Sequence, residues 1–182
     1  MKRFKVVGTL FLVLAIGILA GCSSTPPKSP DVADAINKAI EQAGLKDVSV
    51  SQDRDKGVVT LGGHVAAESE KSQAESIATA LAAGQVVANQ IAITPPGLES
   101  DAKRVNSDLD KGIESNLDAA LVERKLEKGI KYDVKNGVVT LTGNVGSQSR
   151  RAEIEKVAAG VPNVQQVVNT LQVKNQKASS TN

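Results

Sequence analysis

The feature that most limits how this chain can fold is a nine-residue stretch that occurs twice, 80 residues apart. Gly57–Val65 reads Gly-Val-Val-Thr-Leu-Gly-Gly-His-Val, and Gly137–Val145 reads Gly-Val-Val-Thr-Leu-Thr-Gly-Asn-Val. The match continues without a gap, and residues 57–93 share 13 identities with residues 137–173 over 37 positions. So long a period, in only two copies, excludes a solenoid, which needs about three or more short repeats. The sequence therefore predicts two related small domains in tandem.

Residues 1–21 have the features of an export signal rather than of a folded domain. A basic start is followed by a mostly apolar stretch, residues 6–20, which is short for a membrane-spanning helix. Leu19-Ala20-Gly21-Cys22 resembles the lipobox of bacterial lipoproteins, which implies cleavage before Cys22 and acylation of its thiol. Ser23, with no Asp at that position, resembles the sorting signal for the outer membrane, which implies a lipid-anchored protein that faces the periplasm. The alternatives are an ordinary signal peptide or an uncleaved anchor with a chance cysteine.

Cleavage would change the composition. Removing 21 of the 182 residues leaves 161, and the loss of three basic residues takes the formal net charge from +2 to −1. The mature chain would contain no Trp or Phe, and only one tyrosine (Tyr132) and one histidine (His64). Cys22 is the only cysteine, so a disulfide within the chain is excluded. Residues 22–30 would be the acylated cysteine and a flexible, Pro-rich tether, of which residues 23–30 reach at most about 25–30 Å.

The pattern of residues 31–93 predicts a domain with the element order α-β-β-α-β. Ser29 and Pro30 are typical of a helix N-cap and first position, and Gly44 of a helix end. The apolar stripe of this helix would be Val32, Ile36 and Ile40. Alternating residues predict three strands, and the core face of the second would hold Val59, Leu61, Gly63 and Val65. A second helix over about 68–83 separates the last two strands, which should therefore be parallel.

A linker at residues 94–100 leads to a second domain, residues 101–173, with the same plan. Its first helix carries apolar residues at four-residue spacing, although Gly112 is a possible interruption: Val105, Leu109, Ile113, Leu117 and Leu121. Asn136-Gly137 predicts a tight turn, and Ser147 or Ser149 would cap the second helix. The tail, residues 174–182, is polar and predicted to be disordered. The fold class is α+β, with each domain a three-stranded mixed sheet packed against two helices.

The repeated residues resemble a known family, the BON domain. The resemblance rests on Gly-Val-Val-Thr-Leu-x-Gly-x-Val, the helix that follows, and then Gly160-Val161-Pro162-Asn163-Val164 and Val168-Asn169-Thr170-Leu171-Gln172-Val173. The first copy departs from it, because Ala80-Leu81 replaces Gly-Val and the turn before Gly57 is about two residues longer. The resemblance implies a non-enzymatic module of the bacterial envelope that is associated with anionic phospholipid and envelope integrity.

The residue types that catalysis and metal binding need are scarce. His64 is the only histidine, its strand phase is opposite to the core, and its counterpart in the second copy is Asn144. One histidine and an acylated cysteine cannot supply a zinc shell, and no phosphate-binding glycine-rich motif occurs. We therefore expect no catalytic residue, no metal site and no cofactor.

The inward phase of the strands also contains residues that are not apolar. Gly63 and Gly143 predict a helix packed closely against the strand, where no side chain fits, or a ligand near the backbone. Asn89 and Asn169 predict hydrogen bonds to nearby backbone rather than to a ligand.

Charge differs between the two domains. Residues 31–93 carry nine acidic and five basic side chains, a net −4, whereas residues 101–173 carry ten and eleven, a net +1. Basic residues near a membrane gain on the order of 1 kcal/mol each from anionic lipid. We therefore predict that the second domain contacts anionic headgroups through Arg124, Lys125, Lys128, Lys131, Arg150 and Arg151. The alternative is a solvated face in which Glu123 and Glu127 balance these charges.

Three functional hypotheses follow. The first is a lipid-anchored, non-catalytic envelope protein that binds anionic phospholipid. The second is an adaptor for envelope proteins, with exposed edges beside the third strand available for strand addition. The third is a spacer whose domains bind only each other. Export and the absence of stacking aromatics disfavour nucleic acid as a partner.

Overall fold

The structure is a computed structural model that describes residues 28–173. The predicted signal, Cys22, the tether up to residue 27 and the tail from residue 174 lie outside the described residues. The first domain contains α1 (Ala33–Gln42), β1 (Val48–Asp53), β2 (Val58–Val65), α2 (Glu68–Leu81), β3 (Val86–Asn89) and β4 (Ala92–Ile93). The second contains α3 (Glu99–Glu123), β5 (Ile130–Lys135), β6 (Val138–Val145), α4 (Gln148–Ala159), β7 (Gln166–Asn169) and β8 (Gln172–Val173).

Each domain has the predicted mixed sheet, with the third strand divided in two. β2 is central, antiparallel to β1 and parallel to both β3 and β4. In the second domain β6 pairs with β5, β7 and β8 in the same way. The α+β fold class and the order α-β-β-α-β are confirmed.

Each domain has its own hydrophobic core between the sheet and the two helices. Fully buried residues of α1 and α2 (Ile36, Ile40, Ala74 and Ala78) pack in one cluster with Val59 and Leu61 of β2. The equivalent cluster in the second domain joins Val139 and Leu141 to α3 and α4. Alternation along β2 thus places Val59, Leu61 and Val65 in the core under the two helices, and their equivalents in β6 do the same, as the pattern predicted.

The prediction that Ser29 caps the first helix is wrong. Helix α1 begins at Ala33, and the backbone of Ser29 pairs instead with Arg54 in the turn between β1 and β2. The side-chain oxygen of Gln52 accepts from the amide of Val32 at 3.2 Å, and its amide nitrogen donates to the carbonyl of Pro30 at 2.7 Å. A long-range glutamine therefore holds the segment just before α1, and no side chain caps the first turn of this helix.

Helix α3 is more than twice as long as α1, with 25 residues against 10, and it continues through Gly112. Of its predicted stripe, Ile113, Leu117 and Leu121 are buried. Val105 and Leu109 are 52% and 47% exposed. The stripe prediction was wrong for these two because the first turns of α3 extend past the second core.

Gly63 and Gly143 are required for a reason other than the predicted one. Both have positive φ, +90° and +122°, which L side chains rarely adopt. A Cβ at Gly63 would overlap the carbonyl oxygen of Asp47, and one at Gly143 would overlap that of Gly129. The close neighbour is thus the backbone that enters β1 or β5, not a helix.

The two domains pack on each other through the sheet faces that are not covered by helices. A third buried cluster consists of Val58 and Ala88 from the first domain with Val138 and Val168 from the second. These are equivalent residues, since 58 and 138, and 88 and 168, both differ by 80. Equivalent patches in mutual contact are the mark of two-fold packing, so the duplicated domains meet as the subunits of a symmetric dimer do.

Candidate functional site

A group of basic side chains lies at one end of the second domain. Arg124 is the C-cap residue of α3, Lys125 follows it with φ +57°, and Lys128 belongs to the same loop. The buried Leu126 anchors this loop through a 2.8 Å bond from its amide to the carbonyl of Leu121.

Arg150, in the first turn of α4, joins this loop. Its Nη2 donates to the carbonyl of Lys125 at 3.0 Å, and the amide of Arg150 is itself capped by the Oγ of Ser147, as predicted. We call Arg124, Lys125, Lys128 and Arg150 the basic end.

The charges of the basic end face solvent. Arg124, Lys125 and Lys128 are exposed and Arg150 is partly exposed. The ion pairs found among residues 28–173 include none of the four. Glu123 and Glu127 are close in sequence but form no ion pair with the basic end in this part of the chain. The group therefore has unneutralised positive charge available for an anionic surface.

Two of the six predicted contact residues lie elsewhere. Lys131 is on β5, opposite Thr142 of β6, on the sheet face away from the helices. Arg151 is partly buried, and its guanidinium donates to the carbonyls of Leu171 and Asn169 at 3.0 and 2.8 Å. Arg151 therefore satisfies two backbone carbonyls at and just after the end of the outer strand β7.

The inward asparagines behave as predicted. The Nδ2 of Asn169 donates to the carbonyl of Arg151 at 3.3 Å and to Glu155 at 2.8 Å. Asn89 makes the same pair of bonds, to the carbonyl of Lys71 and to Glu75. Sequence reasoning missed the glutamates, although Glu75 and Glu155 are among the identities of the repeat.

His64 is exposed, as its strand phase predicted, and lies at a cleft of about 570 Å³ between α3 and the first domain. The pKa of Glu99, which lines the same cleft, is held below its ordinary value by hydrogen bonds from the backbone amides of Glu99 and Gly97. The charge of His64 acts in the same direction. Among the residues that the structure describes, no group of His, Cys, Asp and Glu is arranged to hold a metal ion. Within residues 28–173 there is also no helix with the length and hydropathy to cross a membrane.

The edge of the third strand is not free for strand addition in the first domain, contrary to our expectation. The side-chain amide of Gln166 accepts from the amide of Asn89 at 3.0 Å and donates to the carbonyl of Val87 at 2.7 Å. This side chain therefore bonds β3 as a neighbouring strand would. Strands β1 and β5 remain as outer strands of their sheets.

Comparison with known proteins confirms the resemblance to the BON domain. The family model of the BON domain matches residues 29–95 and 109–175. The chain is 26% identical over 137 residues to osmotically-inducible protein Y of Escherichia coli (strain K12), which covers 74% of this chain and 67% of that protein.

Two solved structures of CdsD, a structural protein of the type III secretion system of Chlamydia trachomatis, also match. One is 13% identical with a TM-score of 0.33, covering 79% of this chain and 66% of that one. The other is 14% identical with a TM-score of 0.35, covering 80% and 93%. Scores this low do not bear on the fold.

Proposed function

The chain belongs to the BON-domain family, and on that premise we propose that it is a non-catalytic protein of the bacterial envelope, anchored to the outer membrane through an acylated Cys22. Its second BON domain binds anionic phospholipid through the basic end. The relative that is named as osmotically inducible supports a role in maintaining the envelope under osmotic stress.

The basic end is the observation on which the proposal rests. Four cationic side chains that form no ion pair within residues 28–173 would each gain about 1 kcal/mol near an anionic surface, or about 4 kcal/mol together. Without Trp or Phe among the described residues, the contact would be with headgroups rather than with acyl chains. The first domain, with a net charge of −4, would turn away from the same surface.

The test is vesicle binding by a chain that begins at residue 22 with Cys22→Ser, which keeps both cores and every described residue. Binding to phosphatidylglycerol vesicles should exceed binding to phosphatidylcholine vesicles. Substituting Arg124, Lys125 and Lys128 by Gln should weaken the former by roughly 100-fold, since about 3 kcal/mol is lost.

A matched control removes the same charge from exposed lysines elsewhere: Lys38, Lys46 and Lys135. This variant should lose less than about tenfold. Equal losses in the two triple variants, or equal binding to both kinds of vesicle, would refute a specific role of the basic end.

A second candidate function, a protein adaptor, is favoured by one observation. Leu98, Val105 and Leu109 are large, exposed apolar residues at or near the first turns of α3, and the matched BON region begins only at residue 109. Crosslinking in intact envelopes should capture a stoichiometric protein at Val105 if the chain is an adaptor. Capture that is unchanged by Val105→Asp would count against it.

A further inference from the structure

A polar pocket of about 290 Å³ lies where the two domains and α3 meet. Its polar lining comes from both domains: Lys71, Asn106, Asp110, Asn136, Asn163 and Gln165. Apolar residues complete the wall, among them Ile91, Leu109 and Val164. A pocket with an apolar wall and a few convergent polar groups is typical of small-molecule sites, and this one has the volume for a small ligand.

Lys71 is the unusual member of this pocket. It is only 8% exposed, and its Nζ donates to a single side-chain oxygen, that of Gln165, at 3.2 Å. The ion pairs found among residues 28–173 do not include Lys71. An ammonium has three protons to donate, and a buried charge is ordinarily paired with an opposite charge. Lys71 thus lacks the anion that its position calls for.

The carboxylate in the pocket is oriented by backbone amides and forms no ion pair with Lys71 among residues 28–173. The two oxygens of Asp110 accept from the backbone amides of Asn136 and Gly137, at 2.8 and 2.9 Å. The side chain of Asn136 in turn donates to the carbonyl of Gln90 at 2.7 Å. These bonds hold the β5–β6 turn against α3 and the first domain. The pocket is therefore held in shape by its own walls.

The repeat shows that Lys71 is not a mere copy of a structural position. Its equivalent, Arg151, donates to two backbone carbonyls of its own domain. Lys71 reaches across to Gln165 of the second domain instead. The groove beside Arg151 is lined by the equivalent strand residues but by none from α3. Of these two equivalent pockets, the one at Lys71 is covered by the long helix and the one at Arg151 is not.

We propose that this pocket binds a small organic monoanion, a carboxylate with a short alkyl chain. The carboxylate would accept from Lys71 and from the amide of Asn106, and the alkyl chain would pack on Ile91 and Leu109. A dianion is disfavoured because Asp110 faces the same space. The proposal is independent of the basic end and of phospholipid binding.

The test is a titration of the chain from residue 22, with Cys22→Ser, by butyrate, followed by amide chemical shifts. Saturable shifts are expected at Lys71, Gln165 and Asn136. Butanamide, which has the same shape without the charge, should bind at least tenfold more weakly, and so should inorganic phosphate. Pocket shifts that do not saturate, or equal binding of butyrate and butanamide, would overturn the proposal. At about pH 8, where inorganic phosphate is mainly the dianion, phosphate that binds as well as butyrate would overturn the monoanion assignment.

Variants give a second line of evidence. Lys71→Met should weaken butyrate binding at least tenfold, whereas Lys38→Met, at an exposed position on α1, should not change it. Unchanged butyrate binding in folded Lys71→Met would contradict the role of the ammonium. If Lys71→Met does not fold, the butanamide comparison in the unsubstituted protein decides alone. Binding of phosphatidylglycerol vesicles by Lys71→Met should stay as it was, which separates this test from that of the basic end.

Discussion

Replacing Gln166 by Val tests whether the two domains form one unit. Val is the residue that the first domain carries at the equivalent position, Val86, so a β-strand accepts it there. The substitution removes the acceptor for the amide of Asn89 and the donor to the carbonyl of Val87. Both residues are buried, so water reaches these backbone groups poorly.

The expected cost follows from those two groups. A buried backbone group left without a partner costs about 1–3 kcal/mol, so the pair costs about 2–4 kcal/mol if water replaces part of what is lost. The apolar surface that Val adds recovers little of this free energy, because residue 166 is only partly buried. We therefore expect a loss of at least about 2 kcal/mol from the interaction between the domains, equivalent to roughly 30-fold in an equilibrium constant.

Amide hydrogen exchange measures this loss at the site itself. Protection of the Asn89 amide should fall by about 30-fold or more in Gln166→Val, and urea unfolding followed by circular dichroism should show the domains unfolding at more separate concentrations. Gln172→Val, at an exposed glutamine of β8, is the control. If Gln166→Val changes Asn89 protection no more than the control does, the reasoning about the strand edge is wrong.

Three further predictions concern the second domain. Gly143→Ala should cost about 3 kcal/mol in urea unfolding, because its φ is +122° and a Cβ would overlap backbone, whereas Gly146→Ala, with open space around it, should cost little. Burial, and then the nearby Asp118, raise the pKa of Tyr132 above its ordinary 10.0. The neutral tyrosine therefore stabilises the fold fully below pH 10, and this stabilisation is lost as pH rises through the folded pKa. Ultraviolet titration of Tyr132, the one tyrosine of the sequence, should show a lower midpoint in Asp118→Asn and in urea. Arg151→Met should destabilise the domain by about 2 kcal/mol and leave vesicle binding unchanged, because the guanidinium of Arg151 bonds to backbone carbonyls. A loss of vesicle binding in this variant would instead show that Arg151 contacts lipid.

The repeat was enough to predict the fold, because both copies show the same alternation of apolar residues. Val59, Leu61 and Val65 alternate as Val139, Leu141 and Val145 do, and both sets are buried. The pattern reports which face of a strand is apolar, so it predicted the cores and the inward asparagines. It does not report which backbone segment passes close by, and for that reason Gly63 and Gly143 were assigned to helix packing.

The site was less predictable, because its residues depend on contacts between distant parts of the chain. Charge alone placed Arg151 with the basic end, and only its geometry shows that it bonds to backbone carbonyls at the end of β7. Lys71 and Gln166 carried no signal beyond a difference between the copies: Lys against Arg, and Gln against Val. Such differences, at positions where the surrounding pattern is preserved, are the signal that could have found them.

The symmetric and asymmetric parts of the domain contact have different effects. The cluster of Val58, Ala88, Val138 and Val168 is symmetric and apolar, and burying it contributes at most about 5–9 kcal/mol at roughly 1.5–3 kcal/mol per valine. That attraction has no direction, so it would hold the sheets together in more than one register. The two bonds of Gln166 and the bond from Asn136 to Gln90 are directional and have no counterparts in the other copy. We therefore infer that the apolar patch provides the affinity between the domains, and that the polar substitutions of the second copy select the single register that brings α3 over Lys71.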